Sequence, residues 1–535
     1  MKKSSVGLSL QEETNQFLAS YQDELSDLYI KSALAGWKAA NTGNQSDFEA
    51  KAKAELELKT FHSNKDRFTK IQELLKASAS LDPLTVRSLQ IAELEHKENQ
   101  LPNELIKQMV DLSTKIEQTF NTFRGEIDGK KFSNNELLTQ IEEENNSVRR
   151  KQIWEALKQV GEAVAPNLIE LAKIRNKAAK QLGYKNFWDM RIRLQEHDPV
   201  KLVALFKELE KSTNKPFSQM KQTLDKELAK RFKVKISEIQ AWHYDNPFFQ
   251  AAPPSDKIDL DEFYKDKKKE DIVQIAKRYY SDLGFDVDNI INRSDLYERE
   301  GKDQHAFSTD IDRAGDVRTL QNVRPKAESM DTMLHEFGHA LYAEHTDRSL
   351  PFNIRDSAHI FTTEAVAMFF GAMPSNADWM VAYLGIDPKT AKQAKDPLAE
   401  QRKREQLIFA RWTLVMLNFE KALYENPTQN LNKLWWKLVE RYQKVRQPKG
   451  RNASDWASKP HFTIAPVYYH NYMMGELFAA QIRATLAKQS IDKKAWGEFF
   501  KTKIFFPGMR KQWPEFVKEA TGQTLSAKHF AKELK

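Results

Sequence analysis

The sequence predicts a mostly α-helical protein, and three observations carry that class. Apolar residues recur at spacings of three and four along most of the chain, the period of a helix with one buried face. Turn chemistry is scarce: 18 glycines and 19 prolines in 535 residues, roughly half the usual share, leave too little for a many-stranded sandwich or barrel. Hydrophobic residues at 40% and aromatic residues at 11% are enough for a packed core, which excludes a disordered chain. In order along the chain, Phe17, Tyr21, Leu25 and Leu28 set the first apolar face. The same pattern predicts helices over 50–78, 84–98, 103–124, 136–160, 167–182, 200–212, 217–231, 268–284, 398–425, 429–447 and 474–488. Joints are expected at Asn246-Pro247 and Ala252-Pro253-Pro254, with Pro102, Pro166, Pro216 and Pro397 setting boundaries. One stretch departs from this pattern. From His305 to Val323, the residues Thr309, Ile311, Val317, Thr319 and Val323 alternate, and Gly315 and Pro325 discourage a helix, so a small β element is expected over 305–323. With no repeat and no low-complexity linker, 1–535 is read as a single domain.

Composition removes several function classes. The chain has no cysteine, so disulfides, thiolate nucleophiles, iron–sulfur clusters and cysteine-based zinc sites are excluded, and any metal must use histidine and carboxylate. No run reaches the ~18 apolar residues of a membrane span. The start of the chain meets Gln11, Glu12 and Glu13 before an apolar leader can form, so a cytoplasmic protein is expected as the chain is written, or a periplasmic or secreted one if a leader was trimmed. A net charge of +8 is spread among acids, as in Lys265 to Asp271, which reads as a solvated face rather than a nucleic-acid patch.

The chemistry concentrates at His335-Glu336-Phe337-Gly338-His339, an H-E-x-x-H motif inside a segment whose apolar face is Met333, Leu334, Phe337 and Leu341. On a helix, residues four apart share a face, so both imidazoles can reach one Zn²⁺ at ~2.0–2.1 Å. Glu364 lies 25 residues beyond His339 in a strongly apolar stretch, Thr362 to Phe370. A lone carboxylate is costly there unless it is paired or metal-bound. Two histidines and one carboxylate form a catalytic zinc set, which leaves a position for water and makes Glu336 the general base. The leading chemistry is hydrolysis of a peptide bond. An oxyanion donor is also needed, and Lys459 to Tyr472 offers one lysine, two histidines and three tyrosines in 14 residues.

Six landmarks in one order resemble the angiotensin-converting-enzyme family of zinc peptidyl-dipeptidases, with a more distant likeness to thimet-type oligopeptidases. They are His305-Ala306-Phe307-Ser308, the H-E-x-x-H motif, Leu350-Pro351 leading to Glu364-Ala365, Trp435-Trp436 with Tyr442-Gln443, Lys459-Pro460-His461, and Trp513-Pro514-Glu515 with Thr521-Gly522-Gln523. The resemblance implies a large two-lobed helical shell around a deep catalytic cleft, one zinc, and release of dipeptides from the C-terminus of short peptides. It implies zinc ligands His335, His339 and Glu364, general base Glu336, and Tyr472 as oxyanion donor with His461 helping. Lys459 and Tyr469 would hold the substrate carboxylate, with Tyr468 as the alternative to Tyr469. His305 and the backbone of Ala306 and Ser308 would pair with the substrate chain by β-augmentation.

The chain also departs from that family. Tyr244 in Trp242-His243-Tyr244 stands where a carboxylate-binding glutamine is expected. Met368 replaces an acidic partner of a zinc histidine, a role for which Asp331 is the candidate. Asn471 replaces the arginine of chloride-activated members, so no chloride activation is expected. The rival readings are a zinc oligoendopeptidase that ignores the terminus and a non-catalytic peptide-binding shell.

Overall fold

The computed structural model describes residues 9–253, 258–489 and 493–534; the first eight residues and Pro254 of the expected joint lie outside them. Helices make up 72% of the chain, which bears out the mostly α class. Among the described residues the sheets are two antiparallel hairpins. The chain forms two compact units, each assembled from three separate stretches. Unit 1 takes Met1–Gln100, Asp259–Lys395 and Met474–Leu525; unit 2 takes Leu101–Ile258, Asp396–Met473 and Ser526–Lys535. No helix among the described residues is long and apolar enough to cross a membrane.

Unit 1 begins with the helices Leu10–Thr42, Gln45–His62 and Lys65–Lys76. Ser9 and Glu12 form a reciprocal capping box at the first of them, and its face Leu18, Tyr21 and Leu25 packs on Phe61, Ile71, Leu74 and Leu89. The helix expected over 50–78 is two helices, because the Asn64 side chain accepts the Arg67 amide at 2.8 Å and starts a second one. The expected β element is present: strand Phe307–Asp310 pairs with Val317–Leu320, Ser308 opposite Thr319. A second aromatic cluster, with Tyr279, Tyr280, Phe369, Phe370 and Phe500 in ring contact, fills the space behind the motif helix Ala327–His345. Tyr280 OH donates to the Leu334 carbonyl of that helix at 2.6 Å.

Unit 2 is built on Ser147–Gln181, Pro199–Phe232, the larger part of Pro388–Glu425, and Leu431–Gln443. Three expected boundaries are corrected here, because Pro166, Pro216 and Pro397 all lie inside continuous helices. A proline frees the carbonyl four residues earlier. Those carbonyls belong to Glu162, Ser212 and Gln393, none of them buried, so water can satisfy them while the rest of each helix keeps its packing. Pro102 does mark a helix start, ahead of Asn103–Thr122. The hairpin Gly125–Ile127 with Lys130–Phe132 was not expected from the sequence. It turns on Asp128 and Gly129, both at positive φ (53° and 78°), the Asp-Gly signal of a tight hairpin. Trp154, Trp242 and Trp436 pack together, and Trp412, Trp435, Trp456, Phe419 and Phe462 extend the aromatic core.

Candidate active site

Unit 1 gathers the predicted metal ligands. The motif helix Ala327–His345 starts where Asp261 Oδ1 accepts the Ala327 amide at 2.9 Å, and it crosses the helix Ile360–Gly371 at close range. Gly338 sets that range: a Cβ there would meet Ala367 Cα at 3.0 Å and Ala367 N at 3.3 Å. The fourth residue of the motif is therefore the contact point that lets Glu364 reach the histidines. Behind Glu364, a Cβ on Gly475 would meet the Glu364 Cβ at 3.2 Å and Met368 Sδ at 3.2 Å. Gly475 lies in the helix Tyr469–Gln489, three residues after Tyr472.

The donor atoms converge. His335 Nε2 and His339 Nε2 are 3.2 Å apart, and each is 3.9 Å from Glu364 Oε2. A point equidistant from the three lies about 2.1 Å from each, the length of a zinc–imidazole bond. The chemistry of the set agrees. His339 Nδ1 is 2.6 Å from Thr363 Oγ1, and donation there leaves the Nε2 lone pair for a metal. Burial pushes His335 down to about 4 and, with His335 beside it, His339 down to about 3, so both imidazoles stay neutral and ligating. Burial raises Glu364 to about 7, a cost that a bound cation offsets. These residues fit a zinc ion.

Glu336 is buried next to this group. Burial, then the Glu364 charge, raises it to about 8, while the Ser308 amide donates to its carboxylate and opposes the rise. The strand Phe307–Asp310 thus turns one edge to its partner strand and the Ser308 amide to Glu336. Ala306 is half-buried beside it, whereas the His305 side chain is 95% exposed and lies near Asp303. Thr363 is a partner of His339 that sequence reasoning missed, although it directly precedes Glu364. Asp331, the candidate for the other histidine, places Oδ1 2.5 Å from where a Gly371 Cβ would stand, with His335 Cβ 3.4 Å from the same point. Gly371 is what leaves room for that carboxylate.

Unit 2 gathers the predicted carboxylate anchors. Lys459 is 6% exposed, and burial lowers its ammonium to about 8. Its Nζ donates to Gln250 Oε1 at 2.6 Å, and Tyr469 OH donates to the same oxygen at 3.4 Å. Phe248, Trp412 and Tyr469 present rings 5.4–5.5 Å from Nζ. No carboxylate pairs with this cation among the described residues. The His461 ring lies 5.0 Å from that of Tyr469, and the Tyr472 ring 5.5 Å from it. Asp455 shapes the loop before Lys459 by accepting from Arg451 Nη2 at 2.6 Å and Trp436 Nε1 at 3.1 Å.

Tyr469 OH reaches the same Gln250 oxygen that Lys459 holds. The amide side chain beside Lys459 is Gln250, further along the chain than Tyr244. Tyr244 is buried elsewhere, accepting from Lys221 Nζ at 2.6 Å and donating to Asp225 at 2.9 Å. The signal for Gln250 is weak in sequence, since its partner is 209 residues away.

Two imidazoles one helical turn apart, a buried glutamate between them and a carboxylate ligand on the next helix define a zinc-metallopeptidase type of centre. The profile of the angiotensin-converting enzyme family matches residues 9–531. The chain belongs to that family and is a zinc metallopeptidase of that type. No curated protein sequence matched the chain.

Proposed function

We propose that this protein is a peptidyl-dipeptidase that removes dipeptides from the free C-terminus of short, unstructured peptides. The observation that carries the reading is Lys459: a buried ammonium, held by Gln250 and boxed by aromatic rings, with no counter-ion among the described residues. Such a cation is incomplete until a carboxylate arrives, and the terminal carboxylate of a peptide supplies one in a charge-assisted hydrogen bond. Tyr469 adds a hydroxyl donor to the same anion. Anchoring the terminus fixes which bond is cut.

His335, His339 and Glu364 would hold the zinc. When bound, that ion supplies Lewis-acid chemistry, acidifying a water and polarising the scissile carbonyl. Glu336 takes the proton of the attacking water on its carboxylate and gives it to the departing amine. For that task it must be ionised, and a nearby cation opposes the burial that raises it. The Ser308 amide keeps the carboxylate oriented. Tyr472 donates its hydroxyl to the oxyanion, with His461 as a second donor. Ala306 and the strand that follows offer backbone groups to an extended substrate, and His305 borders it.

The test is mass spectrometry of the products from one short peptide offered as free acid and as C-terminal amide to the zinc-loaded protein. The free acid is expected to lose dipeptides stepwise, and the amide to be spared. Equal cleavage of both forms at internal bonds would contradict the anchoring and make the protein an oligoendopeptidase. No cleavage across a varied peptide set would make it a binding shell.

A further inference from the structure

The anchor and the candidate oxyanion donor lie on one segment of unit 2, from Lys459 to Tyr472, and that segment contains a conformation its sequence does not favour. After the short helix His461–Ile464, the chain turns through Pro466 and Val467 before Tyr469 starts the next helix. Val467 has φ +56°. Proline followed by a residue of positive φ is the pattern of a type II turn, whose second position normally takes glycine or asparagine. A β-branched side chain is a poor occupant of the left-handed region, because Cβ crowds the following carbonyl. Something else must hold it there.

The holding groups are specific. The Val467 amide donates to Glu420 Oε1 at 2.8 Å, and Gln195 Nε2 donates to the Val467 carbonyl at 3.0 Å. Both polar atoms of the strained residue are therefore gripped by side chains from distant helices. Gln195 uses its other end too, accepting from Asn471 Nδ2 at 2.8 Å, and His197 Nε2 contacts Asn471 Oδ1 at 3.3 Å. On the other side, Arg175 binds the carbonyls of Phe462 at 2.7 Å and Thr463 at 2.9 Å, closing the end of the short helix. Val467 is 2% exposed and Glu420 is 4% exposed, so water does not compete for these bonds. A turn needed only for connection would be served by glycine without any clamp.

We propose that Glu420 and Gln195 are positioning residues: by gripping the amide and carbonyl of Val467 they hold its left-handed turn, and so fix where the helix carrying Tyr469 and Tyr472 begins. The inference rests on the roles proposed above for those tyrosines. Neither clamp residue touches substrate. Their effect passes through one backbone conformation, which gives the proposal a rescue test: a residue that adopts positive φ without strain makes the clamp dispensable.

The experiment compares Glu420→Leu, Glu420→Gln and the double variant Glu420→Leu with Val467→Gly in the full-length zinc-loaded protein. It reads kcat and KM on a free-acid peptide, zinc content, and amide hydrogen exchange over 465–472. Glu420→Leu is expected to lower kcat about tenfold or more by misplacing the tyrosines, with zinc content unchanged and faster exchange across the turn. Glu420→Gln keeps an acceptor and is expected to stay within about twofold of the parent. Adding Val467→Gly is expected to recover most of the lost kcat. Gln195→Met, which releases the carbonyl instead of the amide, is expected to act in the same direction and serves if Glu420→Leu does not fold. The proposal is overturned if Glu420→Leu matches the parent in kcat and exchange, if Glu420→Gln is as damaging as Glu420→Leu, or if Val467→Gly restores nothing. A parent protein without peptidase activity would remove the catalytic reading, and the exchange arm would then decide the clamp alone.

Discussion

Glu336→Gln is expected to lower kcat by about a thousandfold while zinc stays bound at one ion per chain. The amide is nearly isosteric with the carboxyl group and can still accept the Ser308 amide, so the local packing is retained. What it cannot do is take up a proton. The imidazoles are undisturbed, because His339 keeps its Thr363 contact and the Nε2 atoms keep their convergence. The substitution leaves all three ligand side chains in place, so zinc is expected to stay bound. Steady-state kinetics and metal analysis on the same preparation check both halves. Turnover unchanged by this substitution would sink the assignment of Glu336 as base, and simultaneous loss of zinc would show that the residue serves the metal instead.

Lys459→Met is expected to raise KM for a free-acid peptide by about tenfold to a hundredfold and to leave an amidated peptide nearly unaffected. The substitution keeps the aliphatic stem within the ring box of Phe248, Trp412 and Tyr469 and deletes only the ammonium. Burial already lowers that ammonium to about 8, so its removal takes an uncompensated charge out of the interior and should not destabilise the fold. The diagnostic quantity is the ratio of kcat/KM for acid over amide, which should collapse toward unity. A variant that loses activity equally on both substrates would mean that Lys459 supports the structure rather than recognising a terminus.

The parts of this site that were legible in the sequence are those carried by local spacing. His335 and His339 sit four apart in an apolar-faced segment, and one helix brings them together. Glu364 was legible because a single carboxylate interrupts an apolar run. The hairpin at 307–320 showed as alternation between turn residues. Parts that depend on what lies opposite were not legible. Pro166, Pro216 and Pro397 looked like helix ends, yet packing on either side carries the helices through, and the residues whose carbonyls are freed are not buried. The hairpin at Asp128-Gly129 was overlooked although its dipeptide signals it; its strands are three residues long and carry too little alternation to show. Gln250 takes its meaning only from Lys459, and Glu420 only from Val467, a valine where turn chemistry would suggest glycine. The role of Gly338 is visible only with Ala367 against it.

Zinc titration of the chelated protein, followed by hydrolysis of a free-acid peptide, tests the central claim most directly: that His335, His339 and Glu364 together hold the one ion on which peptide hydrolysis depends. The account predicts no turnover after chelation, recovery in proportion to added zinc, saturation at one ion per chain, and no recovery in a His339→Ala variant. Full turnover in the chelated protein, or unimpaired recovery in that variant, would contradict it.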